Sequence, residues 1–307
     1  MAPTLVVLQH GQRRFRYSLP ADETPMTSTP FQSFICPLEG HPLTFSAQSL
    51  QCDQGHTFDV ARHGYVNLLP VQHKRSSDPG DSKAMVAARR RFLDAGHYAP
   101  IAEVISRHVL SGSPEASPLS CLDAGCGEGY YLRALERVAG DGQALSLVGV
   151  DISKWAVQAG ARQDITRAAS WIVGSNAHLP VVSTSLDAVL CMFGFPVFDE
   201  FARVLKPGGR LVMVEAGSDH LRELREVIYP SLNPDKPEHD RVPDGFERGD
   251  SERVRHTCTL DTSEAISDLL TMTPHLYRAT AEGRARAAAL TSLEVTLDVR
   301  VTVLIKP

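Results

Sequence analysis

A loop of three glycines stands between an apolar run and a helical pattern in the first half of the chain. Residues 119–124 form an apolar run of strand length, and apolar residues recur at helical spacing over 132–138. Between them, residues 123–129 have the pattern D-x-G-x-G-x-G. Glycine permits positive φ and lets the backbone approach a ligand without an intervening Cβ. The pattern therefore predicts a strand, a ligand-binding loop and a helix in succession.

The same alternation continues after the loop. Further apolar runs of strand length, separated by helical patterns, lie at 145–150, 171–173, 187–193 and 210–215. Strands that alternate with helices predict an α/β domain with a mostly parallel sheet. Alternate apolar residues over 295–303 predict one more strand, paired antiparallel with 257–260 at an edge of the sheet. Residues 230–254 are polar and contain prolines, so they predict a long loop.

The loop and the next two strand ends indicate the chemistry of the ligand. Dinucleotide-binding loops have the pattern G-x-G-x-x-G, whereas here the third glycine comes one residue early and Glu128 would repel a phosphate. A ligand without phosphates but with a cationic centre fits better. Asp151 ends the second strand, where a carboxylate takes both hydroxyls of a ribose, and Asn176 ends the third, within reach of an adenine edge. The alternatives are a tight turn for the glycines and a helix cap for Asp151.

Together these features resemble the class I S-adenosylmethionine-dependent methyltransferases, whose later signature is similar to LKPGGR at 205–210. The resemblance implies an α/β, Rossmann-like fold with a mixed, mostly parallel sheet and an antiparallel C-terminal edge. It also implies S-adenosyl-L-methionine as the cofactor. The residues expected to bind it are Asp123, Gly125, Gly127, Gly129, Tyr130, Asp151, Asn176, His178 and Leu179.

A short segment with cysteines and histidines precedes this domain. Cys36, Cys52 and His56 have zinc-knuckle spacing, and structural zinc takes four tetrahedral ligands. Glu39 stands where a second cysteine is expected, so the fourth ligand is either this carboxylate or His41. The alternative is a module that holds no metal and packs through its apolar side chains. The remaining cysteines are expected to be small buried apolar residues, at 121, 126, 191 and 258.

Composition divides the chain into four parts. Residues 1–30 contain four prolines and no sustained period, so we expect a disordered extension in which Met26 is a second candidate start. Residues 31–70 form the zinc-ribbon-like module, which has too few apolar residues for a core of its own. Residues 71–116 form a basic helical linker, in which Asp81 or Ser82 caps a helix that Gly96 ends. Residues 117–307 form the methyltransferase domain.

The linker carries a more specific resemblance. GYVNLLPVQHKR at 64–75, DPGD at 78–81, ARR at 88–90 and FLDAGHY at 92–98 resemble the RlmA-type 23S rRNA (guanine-N1-)-methyltransferases. The glycine loop as far as Tyr131 and MTP at 272–274 also match, and the similarity covers roughly residues 34–306. It implies a zinc module ahead of a methyltransferase domain, 23S rRNA as the substrate, and a homodimer.

Charge is unevenly distributed along the chain. The total is −5, but residues 61–110 hold eight basic and four acidic residues, a net of +4, which leaves −9 for the remainder. A local basic stripe is sufficient for phosphate contacts, and RNA loops also need aromatic stacking partners. The alternatives are a solvated helix face for the arginines and a place in the core for the aromatics. The residues expected to contact RNA are Lys74, Arg75, Arg89, Arg90, Phe193 and Phe195.

The sequence thus predicts methyl transfer from S-adenosylmethionine to N1 of a specific guanine in a hairpin loop of 23S rRNA, as a step of rRNA processing. It names no general base and does not indicate which guanine is modified. The alternatives are a small-molecule methyltransferase and a non-catalytic rRNA-binding factor. No apolar run approaches the roughly 18 residues of a membrane span, and we expect a cytoplasmic protein.

Overall fold

The computed structural model describes residues 30–46, 48–74, 76–112, 118–139, 142–232 and 241–307. The predicted extension at 1–30 lies outside these residues except for Pro30. The helices are α1 (Lys83–Asp94), α2 (Ala99–Leu110), α3 (Tyr130–Ala139), α4 (Lys154–Gln163), α5 (Phe198–Val204), α6 (Arg222–Ile228), α7 (Ser263–Thr271), α8 (His275–Arg278) and α9 (Ala281–Ala288). The strands are β1 (Phe34–Ile35), β2 (Pro42–Ser46), β3 (Ser49–Gln51), β4 (Thr57–Asp59), β5 (Tyr65–Asn67), β6 (Leu119–Ala124), β7 (Leu145–Asp151), β8 (Ala169–Val173), β9 (Leu186–Met192), β10 (Leu205–Ala216), β11 (Glu247–Leu260) and β12 (Leu293–Ile305).

An eight-stranded sheet forms the body of the molecule, in the order β11-β12-β10-β9-β6-β7-β8-β5. The six strands from β10 to β5 run parallel to one another, whereas β12 is antiparallel to β10 and β11 is antiparallel to β12. The predicted mixed sheet, mostly parallel with an antiparallel C-terminal edge, is confirmed. Strands β7 and β8 lie on one side of β6, and β9 and β10, which follow them in the chain, lie on the other side. The strand order therefore reverses beside β6, and a crevice opens at its carboxyl end.

The predicted loop at 230–254 is wrong from residue 247 onward. Strand β11 begins at Glu247 and pairs with β12 as far as Leu260. Its residues are mainly exposed or half-buried, because the strand lies at the sheet edge and needs few apolar side chains. Backbone pairing with the apolar strand β12 therefore holds a polar segment in a sheet. Residues 233–240 of the predicted loop lie outside the described part of the chain.

A second, smaller sheet packs on one face of the large one. Strands β1 to β4 pair antiparallel in chain order. Buried residues of this small sheet, including Phe34 and Leu50, share a cluster with Val148 and Ile172 of the large sheet and with Phe201 of α5. The opposite face carries the cluster beneath the remaining helices. The molecule is therefore layered, with the small sheet and α5 on one side and most of the helices on the other.

Strand β5 follows the four strands of the small sheet in the sequence, but it pairs within the large sheet. It pairs parallel with β8, from Tyr65 opposite Trp171 to Asn67 opposite Val173. The segment 31–70, which the sequence assigns to the small module, thus supplies the outermost strand of the large sheet. None of the helices in the described ranges has the length and apolar character that crossing a membrane requires.

Candidate functional site

The glycine loop between β6 and α3 has two open positions and one filled position. All three glycines have positive φ, at +92° for Gly125, +55° for Gly127 and +83° for Gly129. A Cβ built on Gly125 would approach only Asn176, at 3.9 Å, and one built on Gly127 would approach only Arg89, at 3.8 Å. A Cβ on Gly129 would collide with the ring of Trp171. The first two glycines therefore leave space for a ligand, whereas the third leaves space for a tryptophan.

Asp123, the last residue but one of β6, is a buried carboxylate without a partner. It is 0% exposed, and neither oxygen accepts a hydrogen bond from the described residues. Burial first, and the charge of Asp151 second, raise the pKa of its carboxyl to about 8. Leaving such a group unpaired is costly. A ligand ammonium group would satisfy it, and S-adenosylmethionine carries one on its amino-acid end, so the residues present fit this cofactor.

Asp151 ends β7 and joins the loop to the next helix. Its Oδ2 accepts the Gly127 N–H at 2.9 Å and its Oδ1 accepts the Ser153 N–H at 2.7 Å. A carboxylate oxygen has two acceptor sites, so both oxygens keep one for a diol. Ser153, not Asp151, is the cap of α4, because its Oγ accepts the Ala156 N–H. The geometry favours the ligand role of Asp151 over the helix-cap alternative.

The other residues expected at the cofactor are more dispersed. Asn176 is half-buried beside Gly125. His178 is exposed, with its ring 4.9 Å from that of His73. Leu179 is buried, and its N–H donates to Glu200 at 2.8 Å. Tyr130 begins α3, and it lines a 640 Å³ groove formed with α1, α2 and the segment after α4. None of the three loop glycines lines this groove.

Glu128 does not face the ligand space as the sequence argument assumed. Its side chain is buried and accepts hydrogen bonds from Arg133 and Gln163, both at 2.6 Å. The ion pair with Arg133 compensates the charge of this carboxylate within the fold, and its Oε1 is buried without a hydrogen-bond partner among the described residues. The expectation of a carboxylate that attracts a cationic centre applies instead to Asp123, five residues earlier.

The loop after β9 presents one aromatic side chain to the mouth of the crevice and another to solvent. Phe193 has a left-handed backbone with φ at +53°, which is uncommon for a bulky residue. Its ring stacks on His220, with centroids 5.5 Å apart and planes at 28°, and it is 40% exposed. Phe195 is 92% exposed and has no ring contact among the described residues. Of the two, Phe193 is the one held in place.

His220 supports Phe193, and the sequence did not point to it. Its Nδ1 accepts the Asp298 N–H at 3.2 Å, and its Nε2 lies 3.2 Å from the Tyr98 hydroxyl. Burial lowers the pKa of His220 to about 4, so the ring is neutral at pH 7. Because Nδ1 is an acceptor, the ring hydrogen is on Nε2 and points to Tyr98. The sequence pointed instead to two of its neighbours, Tyr98 within the FLDAGHY motif and Phe193 as an expected RNA contact.

The three consecutive arginines of α1 differ in exposure and in contacts, with Arg89 half-buried and both Arg90 and Arg91 exposed. Arg89 forms an ion pair with Asp81 and donates to the Met272 carbonyl at 2.8 Å. Arg91 holds Asp268 with two hydrogen bonds, at 2.7 and 2.5 Å. Arg90 is exposed, and its one polar side-chain contact within the described part of the chain is with Asp94 at i+4, at 3.3 Å. Of the other two basic residues expected at RNA, Lys74 is half-buried and Arg75 lies outside the described residues.

The cysteines and histidine of the small sheet form a compact cluster. Ligand atoms of Cys36, Cys52 and His56 lie within 4.8 Å of one another. The His56 Nδ1 is 3.7 Å from Cys36 Sγ and 3.5 Å from Cys52 Sγ. In a tetrahedral site with Zn–S of about 2.3 Å and Zn–N of about 2.0 Å, such atoms are about 3.6 Å apart. The three side chains therefore fit a zinc ion.

Glu39 and His41, the two candidates for a fourth ligand, differ in their surroundings. The Glu39 Oε2 is 3.7 Å from the same nitrogen of His56. The His41 ring instead contacts Asp53, with 2.8 Å between Nδ1 and Oδ1. The remaining cysteines are in the fold as expected, three buried and Cys258 half-buried.

Comparison with known proteins gives two family matches and several relatives that align with this chain over nearly their whole length. A family described as RlmA, N-terminal, a zinc ribbon, matches residues 34–77, and one described as Methyltransferase domain matches 122–213. The 23S rRNA (guanine(748)-N(1))-methyltransferase of Streptomyces fradiae is 36% identical over 273 residues, which cover 87% of this chain and 95% of that protein.

The chain belongs to the RlmA-type 23S rRNA (guanine-N(1)-)-methyltransferase family. A protein of Bacillus subtilis (strain 168), provisionally named as a 23S rRNA (guanine-N(1)-)-methyltransferase, is 33% identical over 89% of this chain and 97% of its own length. One of Micromonospora griseorubida with the same provisional name is 34% identical over 86% and 94%. The RlmA-type resemblance, the methyltransferase domain and S-adenosylmethionine as its cofactor are thus confirmed, and a zinc-ribbon family match accompanies the Cys36, Cys52 and His56 cluster.

Proposed function

We propose that this chain methylates N1 of a guanine in 23S rRNA, with S-adenosylmethionine as the donor. The observation that carries the proposal is the open cradle of Gly125 and Gly127 beside the unpaired carboxyl of Asp123. The names of relatives that align over nearly their whole length support the rRNA substrate. The cofactor set is Asp123, Gly125, Gly127, Asp151 and Asn176 around the ligand space, with Gly129, Tyr130, His178 and Leu179 as the expected flanking residues.

When bound, S-adenosylmethionine supplies an electrophilic methyl group on a sulfonium centre. The residues of the chain then act chiefly by placing donor and acceptor in line. Asp123 holds the ammonium group, and Asp151 holds the ribose hydroxyls. The two open glycines let the amino-acid part approach the backbone. The N1–CH3 bond forms as the S–CH3 bond breaks, S-adenosylhomocysteine leaves, and the N1 proton of the guanine passes to a base or to water.

The acceptor base has to leave its stack, because N1 lies on the Watson–Crick edge. We propose that Phe193 stacks on the flipped guanine, since its ring is fixed by His220 and lies at the mouth of the crevice. Tyr98 and His220 are positioning residues beneath it. Phe195, fully exposed on the same loop, is placed to meet a neighbouring nucleotide.

The surface that meets RNA phosphates is proposed to include Lys74, Arg75 and Arg90, in the segment of net charge +4. A zinc ion held by Cys36, Cys52, His56 and Glu39 is proposed to stiffen the small sheet beside it. We further propose the division of the chain into the extension 1–30, the zinc module 31–70, the linker 71–116 and the methyltransferase domain 117–307, with β5 of the zinc module completing the large sheet. A homodimer in the cytoplasm completes the proposal, as the family resemblance implies.

Primer extension on 23S rRNA tests the central claim, because a methyl group on guanine N1 blocks base pairing and stops reverse transcriptase. RNA from cells with and without the gene is compared. We expect one stop at a guanine in the wild type, lost in the deletion, restored by the intact gene and not by Asp151→Ala. No change in any stop would overturn the N1-guanine claim.

Two further outcomes of that experiment distinguish the alternatives. If the stop is unchanged but the purified protein methylates a metabolite, the chain is a small-molecule methyltransferase. If the protein binds rRNA but calorimetry shows no binding of S-adenosylmethionine, it is a non-catalytic rRNA-binding factor.

A further inference from the structure

We infer that Arg89, expected from sequence to contact RNA, instead binds the carboxylate on the amino-acid end of the cofactor. The inference rests on the proposed function, because it assigns a further residue to the same cofactor site. The guanidinium of Arg89 lies beside Gly127, is held by Asp81 and the Met272 carbonyl, and is close to the carboxylate of Asp151.

The Arg89 side chain lies over the open part of the loop. A Cβ built on Gly127 would be 3.8 Å from both Cδ and Nη1 of Arg89, and no other group of the described residues comes within 4 Å of that position. The side chain is 26% exposed, against 52% for its neighbour Arg90. Arg89 therefore borders the space that the glycine keeps free, whereas Arg90 faces solvent.

The contacts of Arg89 hold it at this place. Nη1 pairs with Asp81 and Nη2 donates to the Met272 carbonyl. Asp81 is itself fixed, because its carbonyl accepts the Ser153 hydroxyl at 2.6 Å. The turn that bears Asp81 is packed just as closely: a Cβ on Gly80 would lie 2.9 Å from Ile152 and from Ser153. The start of α1 is thus fastened to the strand end that carries Asp151.

The known contacts leave the guanidinium with capacity for a ligand. Arginine has five N–H donors, and the two named contacts use one on each terminal nitrogen. The Nε–H and one N–H on each terminal nitrogen remain, and two neighbouring donors of a guanidinium match a carboxylate. The guanidinium of Arg89 is also less accessible to an RNA phosphate than that of Arg90, because its side chain is half as exposed.

The charges around the loop favour a zwitterionic ligand. Asp123, just before the glycines, has a buried carboxyl that accepts no hydrogen bond from the described residues, and a ligand ammonium group would stabilise its ionised form. The guanidinium of Arg89 borders Gly127, pairs with Asp81 through Nη1, and acts by its charge on Asp151 as well. An amino acid presents an ammonium and a carboxylate on one carbon, so Asp123 and Arg89 would meet the two groups separately. The cofactor end that carries both is its methionine part.

Two ligands that differ only in this part test the inference by calorimetry. S-adenosylhomocysteine has the amino-acid end, and 5′-methylthioadenosine lacks it. We expect Arg89→Gln to weaken binding of S-adenosylhomocysteine by about 10- to 100-fold and to leave binding of methylthioadenosine unchanged. The methylthioadenosine arm also shows that the variant is folded. Arg90→Gln, the matched control one residue away, should bind both ligands as the wild type does.

The remaining outcomes separate this inference from the function on which it rests. If Arg89→Gln binds S-adenosylhomocysteine as tightly as the wild type, or loses affinity equally for both ligands, the carboxylate assignment fails alone. If Arg89→Gln weakens binding of an rRNA hairpin without cofactor as much as Arg90→Gln does, Arg89 is an RNA contact. If the wild type binds no S-adenosylhomocysteine, the proposed function fails and the Arg89 assignment fails with it.

Discussion

At the scale of single residues, the ionisation of Asp123 makes the site measurable in the free protein. Its pKa is raised from 3.8 to about 8 in the fold. The folded chain then keeps a proton that the unfolded chain loses near pH 4, so the stability that this group contributes declines as pH rises from about 4 to about 8. Asparagine at position 123 cannot ionise, so the Asp123→Asn variant lacks this decline of stability with rising pH.

We therefore expect the melting temperature of Asp123→Asn to rise relative to that of the wild type between pH 5 and pH 8. Scanning fluorimetry of cofactor-free protein measures both. The control adds S-adenosylhomocysteine to the wild type, whose carboxylate should then be held ionised by the ligand ammonium, and the pH-dependent difference should shrink. A difference in melting temperature that stays constant over this range would contradict the raised pKa.

The three glycines of the loop are separable by the same kind of measurement. Gly129→Ala forces a Cβ into Trp171, whereas Gly125→Ala meets open space at a similar φ. We expect Gly129→Ala to lower the free energy of unfolding by roughly 1–3 kcal/mol more than Gly125→Ala. Urea unfolding followed by tryptophan fluorescence gives both values. Equal losses would show that backbone strain alone, not the tryptophan contact, explains the third glycine.

Residues within the fold also show what sequence could and could not predict about the site. Asp123, Asp151, Gly125 and Gly127 could be proposed from sequence because each lies at a strand end or in the loop that follows it, whereas the space at Gly129 is taken by Trp171 of β8. His220 was not, because its three partners, Tyr98, Phe193 and the Asp298 N–H, come from distant parts of the chain. Glu128 was assigned a wrong role because its partner Arg133 lies on the following helix turn, and the pattern does not show which way the side chain turns.

At the scale of elements, the strands that sequence predicted are those buried on both faces. Strand β6 was predicted to the residue, and β7 to within one, because both strands consist mainly of apolar residues. Strand β11 was missed over 247–256, since an edge strand can be polar and still pair along its length. The antiparallel partner β12 carried the period-two signal that identified the pair.

The small sheet yields the prediction at this scale. Glu39 lies beside His56, and His41 lies beside Asp53. We expect Cys52→Ala to abolish zinc binding, Glu39→Ala to weaken it, and His41→Ala to leave it unchanged. Atomic emission after dialysis against a competing chelator gives the zinc content of each variant. Retention of zinc by Glu39→Ala together with its loss in His41→Ala would reverse the assignment, and a wild type without zinc would overturn the metal site.

At the scale of the whole molecule, the separation of charge has a testable consequence. A net charge of −5 would disfavour nucleic acid, but the segment 61–110 is positive. Binding to RNA should therefore weaken steeply with salt. We expect Arg90→Gln to reduce the slope of log K against log salt by about 0.7–1, as measured by anisotropy with an rRNA hairpin.

Arg286→Gln is the control for that slope, because Arg286 lies on α9 and donates to the Val227 carbonyl. Its slope should equal that of the wild type. A slope unchanged in Arg90→Gln would place the RNA surface elsewhere on the molecule.

The position of β5 limits where the chain can be divided into fragments that fold by themselves. Strand β5 closes one edge of the large sheet, and the small sheet covers one of its faces with Phe34 and Leu50. A fragment that begins at residue 117 would lack β5, and it would also lack the small sheet, so one apolar face of the large sheet would be exposed to solvent. Swapping the amino-terminal part between relatives would meet the same obstacle, unless the exchanged piece brings its strand and the matching face with it. The two parts are therefore expected to change together, as one inherited unit.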